Sequence, residues 1–197
     1  MTTKTFRDFL QEADHNIQEK CGQFLEQSKG QPLYRGYGGV IASVFSGTRE
    51  ISIRKDRKPR DTNIYVHALL DAYFQKKFGV KVRSEGLFTT GDRQISTKYG
   101  QAYYVFPVGD FKFIWGTYKA DPVADTLHWT RKIKDMMYVR YKKDSEDVTQ
   151  QVMDEIDWHT DDLAKAIRSG AEIAILADKA IIVPYSAKVP YEKIISG

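Results

Sequence analysis

Two aromatic-rich apolar segments, at residues 101–109 (QAYYVFPVG) and 111–118 (FKFIWGTY), constrain the fold more than any other part of this chain. Runs of Tyr, Phe, Trp, Val and Ile favour β-strands, and the Gly-Asp pair between the two runs predicts a turn. These rings belong to an aromatic content of 13% in 197 residues, a length that suits one domain. The sequence therefore predicts a single domain, residues 1–197, with a sheet in its middle.

Helical periodicity occurs on both sides of these strands. Apolar residues recur every three or four positions over Thr5–Gln27, and Gly30 ends the pattern. A second helix is expected over Asp61–Phe78, with Asp61 as its cap. A third helical region spans Ser145–Arg168, where Thr160 and two following Asp residues could start a separate helix. The pattern predicts the α+β class, with helices packed on a mostly antiparallel sheet, an N-terminal helix over residues 1–30 and a core over 31–197.

Shorter elements are expected between these segments. Leu33–Tyr37 has the composition of a strand, and residues 40–60 resemble irregular strand and loop. The segment VKVRSEGLFTTG, at 80–91, predicts one strand followed by a turn, and residues 92–100 predict one or two helical turns. The two apolar runs within 172–185 predict a terminal hairpin.

Several classes of site are excluded by the same residues. Cys21, the single cysteine, cannot form an internal disulfide, and its place on the helical stripe predicts a core residue. The four histidines stand singly, without HxH or HExxH spacing, so no metal site is expected. No apolar run approaches the length of a membrane span, and no Walker loop or GxGxxG motif occurs. We therefore expect a cytoplasmic protein that uses no metal and no membrane.

The net charge of +4 is unevenly distributed along the chain. Arg49–Arg83 holds ten Lys or Arg against four Asp or Glu, and Arg131–Lys143 holds six against one. Asp144–Asp162 holds eight acids and no Lys or Arg. An anionic partner could bind at Arg54–Arg60 and at Arg131–Lys143. The alternative is that the opposite blocks pair with one another or face solvent.

Three separate segments carry groups that could act on an anionic substrate. Arg35 lies in the strand sequence LYRG, where a guanidinium is costly to bury unless it meets an anion such as a diphosphate. Thr89 and Thr90 end a strand in FTTG, and Glu172 begins the late strand in GAEIAIL. Each also has an ordinary interpretation: an arginine paired with an acid, hydroxyls at a strand end, and an exposed glutamate.

The order of these segments resembles the Arg-Ser-Glu, or cholera-toxin-like, class of ADP-ribosyltransferases. The resemblance rests on LYRG, on FTTGDRQISTKYG followed by an aromatic strand, and on the late strand that begins with Glu172. It implies split antiparallel β-sheets with flanking helices, and NAD as the substrate. In that class the arginine holds the NAD phosphates, and the glutamate stabilises the positive charge that forms as nicotinamide leaves. The resemblance thus implies these roles for Arg35 and Glu172, both as catalytic residues.

The resemblance also implies roles for five neighbouring residues. Thr89 and Thr90 would supply the hydroxyl motif that braces the site, with Thr89 counted among the catalytic residues. Gly36 would offer backbone groups to the nicotinamide amide, and Tyr99 or Phe88 would supply a stacking ring.

The chain departs from the class pattern at two places. FTTG stands where the class has Ser-Thr-Ser, and Gly170 stands two residues before the glutamate, where many members have Glu or Gln. Since that position helps to select arginine acceptors, the departure argues against arginine modification. Two further groups, Arg57–Arg60 and Arg83 with Glu85, either reach the same cleft or form a surface patch.

The function expected from the resemblance is mono-ADP-ribosylation, in which ADP-ribose moves from NAD to a protein or nucleic-acid acceptor. Two alternatives stay open. One is hydrolysis of NAD with water as the acceptor, and the other is a non-catalytic nucleic-acid-binding or virion-associated protein. The chain also resembles small ADP-ribosyltransferase-like proteins encoded by bacteriophages.

Overall fold

The computed structural model describes residues 17–38, 48–59, 63–118, 146–185 and 191–196 of the chain. Strands and helices are interspersed along these residues. The strands are β1 (Tyr34–Tyr37), β2 (Arg49–Ser52), β3 (Leu87–Thr90), β4 (Gln101–Pro107), β5 (Lys112–Tyr118), β6 (Ile156–His159), β7 (Glu172–Leu176) and β8 (Lys179–Pro184). The helices are α1 (Gly22–Ser28), α2 (Ile64–Phe78), α3 (Val82–Glu85), α4 (Arg93–Thr97), α5 (Glu146–Asp154), α6 (Leu163–Ser169) and α7 (Tyr191–Ser196).

All eight strands form one sheet, in the order β2-β8-β4-β1-β3-β7-β5-β6. Every neighbouring pair is antiparallel, which confirms the α+β prediction. Six of the seven pairs of adjacent strands are joined by four or five residue pairs. The seventh, β1 with β3, is joined by one residue pair, Tyr34 with Thr90. The sheet therefore consists of two four-stranded halves, β2-β8-β4-β1 and β3-β7-β5-β6, that meet at a single narrow contact.

Helices cover both faces of this sheet because apolar side chains alternate in direction along its central strands. On β5, Phe113 and Trp115 belong to one buried cluster, and Ile114 between them belongs to the other. The first cluster includes side chains from α1, α6 and α7, and the second includes side chains from α2 and α5. Fully buried rings such as Phe24 and Phe74 anchor the helices, each contributing about 1.5–3 kcal/mol of burial free energy.

The N-terminal helix is confirmed where the chain is described. Residues 17–20 are helical, Cys21 interrupts the helix with φ at −117°, and α1 continues from there. Residues 5–16 of the predicted helix lie outside the described residues. Ile17, Cys21 and Phe24 are fully buried, which confirms the predicted stripe and the core position of Cys21.

The second predicted helix is present as α2. Asn63 caps it, since its side-chain oxygen accepts a hydrogen bond from the Tyr65 amide at 2.8 Å. The expected cap, Asp61, lies outside the described residues. Gly79 ends the helix with φ at +74°, a left-handed conformation that suits glycine. The strands expected at 33–37, 101–109 and 111–118 and the helical turns expected at 92–100 are also confirmed.

The strand predicted to begin at Val80 is wrong in its first half. Residues 82–85 form the short helix α3, and only Leu87–Thr90 forms a strand. The cause is a carboxylate on α2, outside the segment itself. Asp71 Oδ1 accepts hydrogen bonds from the amides of Arg83 (2.7 Å) and Ser84 (3.2 Å). These bonds stabilise the first turn of a helix where local β-propensity favours extension.

The predicted terminal hairpin is also wrong, because its two strands belong to different halves of the sheet. β7 pairs with β3 and β5, whereas β8 pairs with β2 and β4. Ala177-Asp178, which joins them, lacks the Gly or Asn that two-residue hairpin turns favour. Instead, the Asp178 carbonyl accepts a hydrogen bond from the Ile53 amide at 2.8 Å, just beyond β2.

The single helical region predicted over Ser145–Arg168 is wrong in its middle. α5 and α6 occupy its two ends, and the edge strand β6 lies between them beside β5. Alternate burial along β6 places Ile156 and Trp158 in the core. The expected break is close to the observed one, since Asp162 caps α6 by accepting the Lys165 amide at 3.0 Å.

Candidate functional site

The three segments singled out in the sequence meet at the narrow contact between the halves of the sheet. Tyr34 on β1 pairs with Thr90 on β3, and Thr90 pairs with Glu172 on β7. Arg35 directly follows Tyr34 in the chain. Arg35 and Glu172 are more than 130 residues apart in sequence. Glu172 is nevertheless one end of this three-strand row, and Arg35 adjoins the other end.

Arg35 spans the point where β1 and β3 separate. Its Nη1 donates to the Phe88 carbonyl on β3 at 2.5 Å, and its guanidinium lies 5.1 Å from the centre of the Tyr37 ring. Its Nε is buried and has no hydrogen-bond partner among the described residues. A buried N–H without an acceptor is unfavourable, so an anion at this position would satisfy it.

The hydroxyl motif acts on the protein backbone. Thr89 Oγ1 donates to the Ile173 carbonyl at 2.9 Å, and Thr90 Oγ1 donates to the Gly170 carbonyl at 2.8 Å. Both threonines are buried, with exposed fractions of 3% and 6%. The two hydroxyls thus bind backbone carbonyls on either side of Glu172 in the sequence, and they brace this residue rather than opening toward a ligand.

Gly36 is constrained by the end of α4 and by Tyr99, which follows this helix. A Cβ on Gly36 would overlap the Ser96 carbonyl oxygen and would lie 3.0 Å from Tyr99 Cβ. Tyr99 itself is 59% exposed, which leaves its ring at the surface beside β1. The glycine is therefore required for close packing against residues 96–99, and Tyr99 is the exposed ring of the expected set.

Phe88 carries two further arginines at its ring. The guanidinium carbons of Arg57 and Arg83 lie 5.2 Å and 4.8 Å from the ring centre. Arg57 Nη1 also donates to the Gly86 carbonyl at 2.7 Å. The sequence left open whether Arg57 and Arg83 reach the candidate site or form a surface patch. The structure places both of them at the Phe88 ring, beside the candidate site. The half-buried ring thus packs against guanidinium groups.

The electrostatics of these groups are coupled. The pKa of Arg57 is lowered to about 10, because burial disfavours its charged form and because Arg35 and Arg83 repel it, while Glu172 opposes the shift. Burial likewise lowers the pKa of Arg83, against the opposing effect of Glu172 and Asp71. A pKa of about 10 leaves the Arg57 guanidinium charged at neutral pH. The site therefore combines three cations with one carboxylate at the start of β7.

The other described basic residues of the stretch Arg54–Arg60 are exposed. Arg54 is exposed and pairs with Asp56, with Nε 3.1 Å from Oδ1, and Lys58 is exposed. Arg60 and the whole basic block at Arg131–Lys143 lie outside the described residues. Within the described residues, the basic stretch thus contributes Arg57 to the site.

Other chemistry is sparse in the part of the chain that the structure describes. There, no group of three or more His, Cys, Asp or Glu is placed to hold a metal ion, and no helix is long and apolar enough to cross a membrane. A groove of about 810 Å³ lies at the far end of β7, lined by residues that include Leu176, Phe113 and Lys29. It is remote in the strand from Glu172.

The sequence singled out Arg35, Thr89, Thr90 and Glu172, whose strands the structure brings together, and it left open whether Arg57 and Arg83 lie beside them. The sequence signal for these two is their basic character next to the FTTG strand and the basic stretch. Comparison with protein-family models, with curated proteins and with solved structures finds no match to this chain.

Proposed function

We propose that the protein is an NAD-dependent mono-ADP-ribosyltransferase with an ADP-ribosyltransferase-like fold. The observation that carries the proposal is the single row across β1, β3 and β7, which joins Tyr34, the neighbour of Arg35, through Thr90 to Glu172. The buried Nε of Arg35 has no hydrogen-bond partner among the described residues. The two half-sheets joined at one pair support the fold assignment. The braced start of β7 supports the assignment of Glu172 as the catalytic carboxylate.

In this proposal the arginines hold the substrate NAD, and the Glu172 carboxylate acts at the ribose carbon that reacts. Arg35 binds the diphosphate of NAD, whose two negative charges offset the repulsion among the guanidiniums. The bond between ribose C1′ and the nicotinamide nitrogen breaks, and its electron pair leaves with nicotinamide. Glu172 stabilises the positive charge that develops on the ribose. Tyr99, exposed beside β1, contributes a ring to the nicotinamide side.

The acceptor then attacks C1′ and loses a proton to complete the transfer. Gly170 offers no carboxylate to an incoming guanidinium, and its carbonyl is bound to Thr90 Oγ1. The charged groups facing Glu172 include Arg57 and Arg83, which would repel a cationic acceptor. The site therefore favours a neutral or anionic acceptor on a protein or nucleic acid over an arginine side chain.

Label transfer from NAD tests the proposal. Wild-type protein, Glu172→Gln and the exposed control Glu192→Gln are incubated with NAD labelled in its adenylate part and with cell lysate. We expect nicotinamide release and labelled macromolecules from wild type and Glu192→Gln, and neither from Glu172→Gln. Release without transfer would identify a hydrolase. Absence of release from every protein would refute an NAD-cleaving function.

The arginine cluster also supports a second function, non-catalytic binding of a nucleic acid. The guanidiniums of Arg57 and Arg83 at the Phe88 ring, with Arg35 bound to the Phe88 carbonyl, could bind phosphates without chemistry. In that case Arg35→Gln and Arg57→Gln would weaken binding to a single-stranded oligonucleotide, and affinity would fall steeply with salt. Affinity that does not depend on salt would exclude this function.

A further inference from the structure

A buried carboxylate on α2, that of Asp71, holds the segment that carries one arginine of the candidate site. Asp71 is 6% exposed and accepts three hydrogen bonds, all from consecutive residues of α3. Oδ1 accepts the amides of Arg83 and Ser84, and Oδ2 accepts the Ser84 hydroxyl at 2.5 Å. One side chain thus fixes the backbone on both sides of the Arg83–Ser84 peptide bond.

The same segment also fixes Arg57. The Arg57 amide donates to the Ser84 carbonyl at 3.0 Å, so the loop carrying Arg57 is attached to a residue that Asp71 holds through its amide and hydroxyl. Arg57 Nη1 then reaches the Gly86 carbonyl just after α3. Both arginines at the Phe88 ring therefore depend on α3 for their position.

His67, one turn earlier on α2, completes the cluster. Its Nε2 lies 3.1 Å from Ser84 Oγ and 3.4 Å from Asp71 Oδ2. Burial lowers the pKa of His67, with Arg83 and Arg57 acting in the same direction and Asp71 opposing. The imidazole is neutral at neutral pH, so Asp71 provides the formal negative charge of the cluster.

We propose that Asp71 is a positioning residue for the candidate site: it sets the place of Arg83 and, through Arg83, the electrostatic environment of Glu172. Arg83 interacts electrostatically with both Glu172 and Asp71. A buried guanidinium with charged neighbours needs negative charge nearby to stay charged and in place. Asp71 supplies that charge beside α3, the helix that carries Arg83. The catalytic part of this inference rests on the proposed function; the positioning part does not.

Two substitutions separate the charge of Asp71 from its shape. Asp71→Asn keeps an oxygen that can accept the two amide bonds and removes the charge, whereas Asp71→Ala removes both. Asp154→Asn is the matched control, because Asp154 also contacts α2, through the Tyr73 hydroxyl at 3.4 Å, and has no bond to α3. Circular dichroism and thermal unfolding establish that each variant is folded before it is used.

The first readout is the modification rate of individual arginines by phenylglyoxal, followed by peptide mass spectrometry. We expect the Arg83 rate to rise about tenfold in Asp71→Ala, as expected when buried hydrogen bonds are lost. The rate of exposed Arg54 should not change, and Asp154→Asn should match wild type at both sites. An unchanged Arg83 rate in folded Asp71→Ala would overturn the inference. This result does not depend on whether NAD is the substrate.

The second readout is a double-mutant cycle on nicotinamide release. If Asp71 acts through Arg83, Asp71→Asn should lower kcat with little change in KM for NAD, and it should have no further effect in an Arg83→Gln background. Additive effects of the two substitutions would overturn the inference, since they would show that Asp71 does not act through Arg83. Wild type that releases no nicotinamide, with Arg83 exposed in Asp71→Ala, would refute the proposed function and leave the positioning of Arg83 established.

Discussion

Replacing Gly36 by alanine tests the geometry of the site through one methyl group. The added Cβ would overlap the Ser96 carbonyl oxygen, which already accepts the Tyr99 amide at 3.1 Å. Gly36 cannot retreat, because it pairs with Ala102 in the β1–β4 ladder. The last turn of α4 and the residues after it must therefore move away, against the Asp92 cap that holds the start of that helix.

The expected cost follows from these constraints. Overpacking against backbone that cannot relax costs about 1–3 kcal/mol. For a chain of this size each kcal/mol lowers Tm by about 2–4 °C, so Gly36→Ala should lower Tm by about 2–12 °C. Tyr99 should move with the segment, so under the proposed function the KM for NAD should rise as well.

Gly22→Ala is the matched control for this experiment. A Cβ on Gly22 meets no atom within 4 Å, and the residue is the first of α1. Alanine there should raise the free energy of unfolding by up to about 1 kcal/mol. Thermal unfolding of both variants, followed by circular dichroism, measures the two changes. Equal Tm values for Gly36→Ala and wild type would refute the close approach of residues 96–99 to β1.

Three further predictions concern single groups. Burial raises the pKa of Cys21 to about 12, so its thiol should not react with a disulfide reagent at pH 8 until the protein is unfolded; rapid reaction in the native state would contradict its core position. Folding lowers the pKa of His67 from 6.5, so the unfolded state binds more protons and the free energy of unfolding should fall as pH drops below 6.5. His67→Gln should flatten this pH dependence in denaturant titrations. An unchanged dependence in the variant would contradict the prediction. Asp92→Ala removes the cap of α4, whose oxygen accepts the Gln94 amide at 2.7 Å, and should cost about 1 kcal/mol in the same titration, with no loss counting against the cap.

Elements with a strong local signal were predictable from the sequence. The aromatic strands β4 and β5 and helix α2 have the side chains that their burial requires, and their ends carry turn residues such as Gly79 and Gly109. The wrong predictions share a different cause. α3 forms because Asp71 binds its amides from another helix, and β7 and β8 separate because each finds partners in its own half of the sheet. Neither cause lies within the segment it determines.

The candidate site shows the same division. Arg35, Thr90 and Glu172 could be singled out because each lies in a short motif, and the strand register then places Thr90 and Glu172 in one row with Tyr34, the residue before Arg35. The placement of Arg57 and Arg83 was not decided by the sequence, because it depends on α3 and on the Phe88 ring. The threonines were expected to brace the site, and their bonds to the carbonyls of Gly170 and Ile173, on either side of Glu172, describe how they could do so.

The measurement that tests the central claim most directly separates NAD binding from NAD cleavage at Glu172. Calorimetry gives the Kd for NAD, and chromatography gives the rate of nicotinamide release at saturating NAD, for the same preparations of wild type, Glu172→Gln and Arg35→Gln. The account predicts that Glu172→Gln binds NAD almost as wild type does and releases nicotinamide at least about 100-fold more slowly. Arg35→Gln should lose affinity. Nicotinamide release by Glu172→Gln at the wild-type rate would contradict the account.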